Sequence, residues 1–197
     1  VLLRSRHHRL RTGSDIETVV HLYEDLGINC LSKLRGQFAL ALHDKTCRKV
    51  YLIRDRMGEK PLYYAQTKTG LVFASEMKAL LKARGIDKTL DYNNLNQFFH
   101  FYYIVEPATA FRHIHKLPAG SYLEIDLLTG ETELTKYWDA TQIQQIAAGQ
   151  PTRQIKDEFA YACEIAMRSD VPVGISLSGG IDSSSILAFC APKYKTT

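Results

Sequence analysis

The 197-residue sequence has no Cys-x-x-Cys pair, and its four cysteines, Cys30, Cys47, Cys163 and Cys190, lie far apart. That spacing excludes a zinc site built on paired thiolates and gives no disulfide framework, so a reducing cytosol fits. No apolar run reaches the length needed to span a bilayer, and no charged-then-apolar leader opens the chain. The expectation is a cytoplasmic protein without a membrane partner. Charge of one sign is scarce as well: a net +4 does not by itself call for nucleic acid. The one dense basic run, Arg4, Arg6, His7, His8, Arg9 and Arg11, reads as a solvated strand or loop. What remains, 45% apolar and 23% charged residues, is the composition of a folded globular protein with a real core. The chain starts at Val1 rather than Met and ends at Thr197, soon after the helix expected from Ile181, so a piece of a longer protein is expected.

Ser14-Asp-Ile-Glu17 has the form of a capping box, followed at helical spacing by Ile16, Val19, Val20, Tyr23 and Leu26 up to the stop at Gly27. Residues 37–43 and 49–54 read as a hairpin across Asp44–Arg48, and residues 61–65 and 71–74 as a second hairpin in the same sheet. Ser75 is expected to cap a helix through Arg84, and Asp91 another that carries Leu95, Phe98, Phe99 and Tyr102 into the core. A third hairpin joins 121–126 to 131–137 through Thr129-Gly130. The polar stretch 139–150 is read as a linker, which makes 1–138 one domain and 151–197 the beginning of another. Pro151 opens a helix to about Ser169, with Ile155, Phe159, Ala162, Cys163, Ala166 and Met167 on its buried face.

Residues 171–177 read as a short buried strand, and Ile181–Ala191 as a helix, with Ser178-Gly-Gly-Ile-Asp-Ser183 between them. Strand, glycine turn and helix together aim free backbone N–H groups and the positive end of the helix dipole at one place, where an anion binds. Gly179 and Gly180 let a phosphate approach the backbone, Ser183 and Ser184 add hydroxyl donors, and Asp182 offers a carboxylate to a Mg²⁺ ion beside the phosphate. The loop has no lysine in the GxxxxGK[ST] position, so γ-phosphate transfer is not indicated.

The six-residue run resembles the PP-loop of ATP-pyrophosphatases, which hold the pyrophosphate of ATP and leave the α-phosphorus open to attack. Upstream, Thr12–Asp15, Leu34–Ala39, Arg54–Tyr64, Phe73–Ala79, Lys116–Gly120 and Lys136–Trp138 resemble, in order, the glutamine-hydrolysing asparagine synthetases. The resemblance implies an α+β N-terminal-nucleophile sandwich of antiparallel sheets between helices (a class II glutamine amidotransferase), followed by the start of an α/β PP-loop domain. It implies a ligase that takes glutamine, aspartate and ATP with Mg²⁺ and proceeds through a β-aspartyl-adenylate to asparagine, AMP and pyrophosphate, as a homodimer when full length. Paralogous amide-forming ligases, such as β-lactam synthetase-like or natural-product amidotransferase enzymes, and a non-catalytic glutaminase-like scaffold are the alternatives.

By the same resemblance, Leu177, Ser178, Gly179, Gly180, Asp182 and Ser183 bind ATP, Asp182 holds the metal, and Asp15 holds the glutamine α-amino group. Asp15 also suits the start of a helix on electrostatic grounds alone, worth ~0.5 kcal/mol. The family's nucleophile is an N-terminal cysteine, and its glutamine-binding arginine and Asn-Gly-Glu segments would precede Val1. No catalytic residue is therefore assigned here, the four cysteines are read as structural, and the fragment alone is expected to be inactive. Arg54, Asp55, Arg56 and Lys60 could pass for a catalytic charge cluster but are read as paired charges fixing a loop before Pro61.

Overall fold

A computed structural model describes residues 8–143 and 151–192, and the chain divides into two units, residues 1–142 and 143–197. Arg4, Arg6 and His7 of the basic run, and residues 144–150 of the expected linker, lie outside the described residues. Each unit is described by itself.

In the first unit, helix α1 (Asp15–Leu26) is followed by a 3₁₀ turn (Gly27–Lys33) and two strands, β1 (Ala39–Asp44) and β2 (Lys49–Arg54). Strands β3 (Tyr63–Thr67) and β4 (Gly70–Ala74), short helix α2 (Met77–Leu80) and helix α3 (Tyr92–Phe101) come next, then β5 (His115–Lys116), β6 (Ser121–Asp126) and β7 (Thr132–Lys136). The strands form two sheets, in the orders β1-β2-β6-β7 and β4-β3-β5, with every pairing antiparallel.

The period-2 geometry of strands sorts the core into layers. Tyr51 and Ile53 of β2 turn to one side and pack with Leu22 of α1 and with Cys30 and Leu31 of the 3₁₀ turn. Leu52, between them, turns to the other side and meets Leu123 and Ile125 of β6 with Leu62 and Leu117, which flank the second sheet. Beyond that sheet, Ala65, Leu80 and Ile114 close a third cluster with Tyr63, Val72 and Met77. The order is helix, sheet, sheet, helix. Because β2 is inner and buried on both faces, it reads as the nearly unbroken apolar run Val50-Tyr-Leu-Ile53, whereas β6 alternates buried and half-buried residues.

Several expectations are corrected. The second hairpin does not extend the first sheet: β3 and β4 pair with β5 and stack against it, a choice of partner made by contacts far away in sequence. Helix α2 is one turn long, starts after Glu76 rather than Ser75, and gives way to turns before Arg84. Asp91 does cap α3, accepting from the backbone N–H groups of Asn93 and Asn94. Phe98, Phe99 and Tyr102 are nonetheless exposed, so the aromatic face of α3 is not core within this unit. At α1, Ser14 accepts from Ile16 N–H, but Glu17 turns away from Ser14 to take the N–H groups of Arg11 and Thr12, each at 2.7 Å. Those two N–H groups, with the Thr12 hydroxyl that also donates to Glu17, hold the Glu17 carboxyl down at about 2.

The second unit contains α4 (Pro151–Ala166) and α5 (Ile181–Cys190), which pack through Phe159 against Phe189, with Cys163 and Cys190 buried between them. Ile155, Ala162 and Ala166 of the expected buried face are exposed. Residues 171–177 form no strand, and Val171, Val173 and Leu177 lie open to solvent. A strand needs a neighbour to take up its N–H and C=O groups, and among the described residues of this unit there is no other strand.

Candidate functional site

The loop 178–183 lies at the N-terminus of α5, where four backbone N–H groups have no partner inside the helix. Gly180 stands at the N-cap and supplies no side chain to satisfy them. Gly179 adopts φ +81°, a left-handed conformation that costs a residue with a side chain, and nothing lies within 4 Å of where its Cβ would be. That open side is where a phosphate would approach.

The serines hold the turn in shape. Ser178 N–H donates to Ser183 Oγ at 3.3 Å, the two hydroxyls lie 3.1 Å apart, and Gly180 N–H reaches Ser178 Oγ at 3.4 Å. These are long bonds near the outer limit for hydrogen bonding, so an anion accepting from the same N–H groups loses little by replacing them. Ser183 Oγ also donates to Gly180 O at 3.2 Å, and Ser185 Oγ to Ile181 O at 2.7 Å. Asp182, in the first turn, is exposed and lines an open groove with Lys156 and Phe159 of α4. Its carboxylate oxygens are the hard donors that a magnesium ion takes, and the neighbouring hydroxyls and N–H groups suit the phosphates it would accompany, so the residues fit that pair.

Asp15 sits in the first turn of α1 with its carboxylate exposed. Ile16 and Val20, on the same helix, line an open apolar groove with Leu40 and Leu42 of β1. None of the cysteines is set up as a nucleophile: burial pushes the Cys30 and Cys163 thiols up, and hydrogen bonding to Asp44 does the same for exposed Cys47. Cys190 is buried beside Cys163.

The charged loop after β2 is a buried structural node. Arg54 shares the parity of Leu52 and so points toward the second sheet, with 2% of its surface exposed. Its guanidinium donates to Lys60 O at 2.9 Å, Leu117 O at 2.6 Å, Gly58 O, and Glu106 Oε1 at 2.7 Å. Asp55, fully buried, accepts from the N–H groups of Phe38, Met57, Glu59 and Lys60. Burial works to raise its carboxyl, but the backbone donors outweigh it and hold the group below the usual carboxylate range. Burial likewise opposes ionisation of Glu106, and the cations Lys116 and Arg54 reverse the balance. Gly120 passes so close that a Cβ would stand 2.6 Å from Trp138 O. Glu106 and Lys116 were not foreseen in this node: they lie more than fifty residues from Arg54 in the chain, and no local pattern marks them.

This arrangement of two stacked antiparallel sheets between helices is an α+β fold of the N-terminal-nucleophile type, followed by the opening of a PP-loop domain. The family model described as a glutamine amidotransferase domain matches residues 2–138, and the one described as asparagine synthase matches residues 154–197. The chain belongs to the glutamine amidotransferase domain family. It is 36% identical over 95% of its length to asparagine synthetase [glutamine-hydrolyzing] 2 of Bacillus subtilis, covering 27% of that protein. It is 34% identical over 89% of its length to a putative asparagine synthetase [glutamine-hydrolyzing] 2 of Methanocaldococcus jannaschii, covering 35% of it. Amidase chry2 of Gibberella zeae is 34% identical over 88% of the chain, which spans 26% of that relative. The chain therefore spans about a third or less of these curated relatives. Among the described residues, no helix is long and apolar enough to cross a membrane.

Proposed function

We propose that the chain is part of a cytoplasmic glutamine-hydrolysing asparagine synthetase: a ligase that activates aspartate with ATP and forms asparagine with ammonia released from glutamine. One observation carries the reading. The two family matches follow each other along the chain, 2–138 then 154–197, and the second contains an open glycine–serine turn at a helix N-terminus. Neither half alone would name the reaction.

In this reading the N–H groups of residues 178–180 and the hydroxyl of Ser183 bind the pyrophosphate end of ATP, with Leu177 leading into the loop. Asp182 would hold magnesium, whose chemistry there would be neutralisation of phosphate charge. The substrate carboxylate displaces pyrophosphate from the α-phosphorus, giving a β-aspartyl-adenylate; ammonia then attacks its carbonyl carbon and AMP departs. Asp15 pairs with the α-amino group of glutamine. The domain division is read as 1–138, a linker at 139–150, and the synthetase domain from 151.

The test uses the full-length protein with aspartate, glutamine, ATP and magnesium. Equimolar asparagine, glutamate, AMP and pyrophosphate are expected. Pyrophosphate release with a different acyl substrate, and none with aspartate, would move the protein to the paralogous amide-forming ligases.

A further inference from the structure

We propose that the first unit carries a binding site for a divalent transition-metal ion of the zinc class, formed by His8, His21 and Glu24. His8 belongs to the run expected to be a solvated basic segment. Instead it lies against α1, with only 17% of its side chain exposed, and its ring meets that of His21 at a tilt of 41° with centroids 4.6 Å apart. His21 and Glu24 are three residues apart on the helix and so share a face.

The separations suit a small tetrahedral ion. Bonds of about 2.0–2.2 Å at tetrahedral angles place ligand atoms roughly 3.3 Å apart. His21 Nδ1 lies 2.7 Å from Glu24 Oε2 and His8 Nδ1 lies 3.9 Å from the same oxygen, so the two distances straddle that value. One donor atom from each of the three residues falls within 4.8 Å of the others. Small rotamer adjustments would bring them onto one ion. Two imidazoles and one carboxylate, with further positions left for water, form a donor set that zinc accepts.

The surroundings are those of ligating histidines. His8 Nε2 is 2.9 Å from Asp25 Oδ1, so the carboxylate fixes the ring and leaves Nδ1 for the ion. His21 Nε2 is 3.7 Å from Glu17 Oε1, and Glu17 is anchored by the N–H groups of Arg11 and Thr12. Three carboxylates thus gather around two imidazoles that carry no charge when they ligate, a balance suited to a dication. His8 and His21 are mostly covered while Glu24 is 56% exposed, which leaves a way in from solvent. A bound ion would tie residues 8–12 to α1, the helix that carries Asp15.

Isothermal titration of the chelator-treated 197-residue chain with zinc chloride tests the proposal. One ion per chain is expected. Glu24→Gln should weaken binding roughly tenfold or more, and Asp25→Asn, acting through His8, by about tenfold. His8→Ala/His21→Ala should abolish stoichiometric binding and any rise in Tm with zinc. Far-UV circular dichroism checks that the variants are folded, and the exposed Glu24→Gln keeps the test decisive if the histidine pair unfolds the chain. No stoichiometric binding by the parent chain, or the parent's affinity retained in Glu24→Gln or in the folded double variant, would overturn the site.

Discussion

Residues 54–60 in the first unit and 178–183 in the second are both short polar segments that turn at a glycine with positive φ, Gly58 and Gly179, yet they use their polar atoms in opposite ways. The Arg54 guanidinium and the Asp55 carboxylate are paired inside the protein, most at 2.6–3.0 Å, and a side chain at Gly58 would strike the Arg54 guanidinium at 2.8 Å. Around Ser178 the bonds run from 3.1 to 3.4 Å, and nothing lies near Gly179. Polar groups that are buried and paired fix architecture, since unpairing any of them is costly. Those left exposed on weak internal bonds can be handed to a ligand at little cost. The charged loop is scaffold, and the serine loop has the open, weakly bonded geometry that the proposed receptor role requires.

The sharpest way to break this contrast is to remove a buried partner. Asp55→Ala removes the buried acceptor of four part-buried backbone N–H donors and should destabilise the first unit by about 2–3 kcal/mol, read as a fall in urea midpoint. Gly120→Ala forces a Cβ to 2.6 Å from Trp138 O at φ +62°, with an expected cost of about 2–3 kcal/mol in the same measurement. Both contacts are with backbone that cannot step aside.

Acid should act on the scaffold next. The folded-state values of Asp55 and Glu106 are depressed, so their contribution is complete above the unfolded carboxylate range near pH 4 and is lost as pH falls through the folded values. The urea midpoint should therefore drop below about pH 4, and less steeply in Glu106→Gln. Equal slopes would remove Glu106 from the node. At the small end, Ser183→Ala should shift the stability of the second unit by no more than about 0.5 kcal/mol. A larger loss would mean that the serine loop is scaffold too.

The first and third hairpins were legible because each is local: Asp44–Arg48 and Thr129-Gly130 are turn chemistry between two strand-like runs, and β1/β2 and β6/β7 or its neighbours follow from them. Which sheet β3 and β4 join was not, since that depends on β5, some forty residues on. The same limit hid Glu106 and Lys116 from the charged node. Helical spacing on α3 marked its aromatics as core, yet periodicity finds a face without saying what covers it. The serine loop was readable residue by residue because its geometry is contained in six consecutive positions. Its expected strand was not, because a strand exists only with a partner. His8 was misread from its basic neighbours in sequence, while its contacts come from a helix more than ten residues away.

The measurement that bears most directly on the receptor role of residues 178–183 is pyrophosphate release by the full-length enzyme carrying Asp182→Ala, alongside its urea midpoint. The expected result is a rate lowered by roughly two orders of magnitude or more, as for loss of a group that stabilises charge in the transition state, with stability unchanged within about 0.5 kcal/mol. Pyrophosphate release at the parent rate in a folded Asp182→Ala enzyme would contradict it.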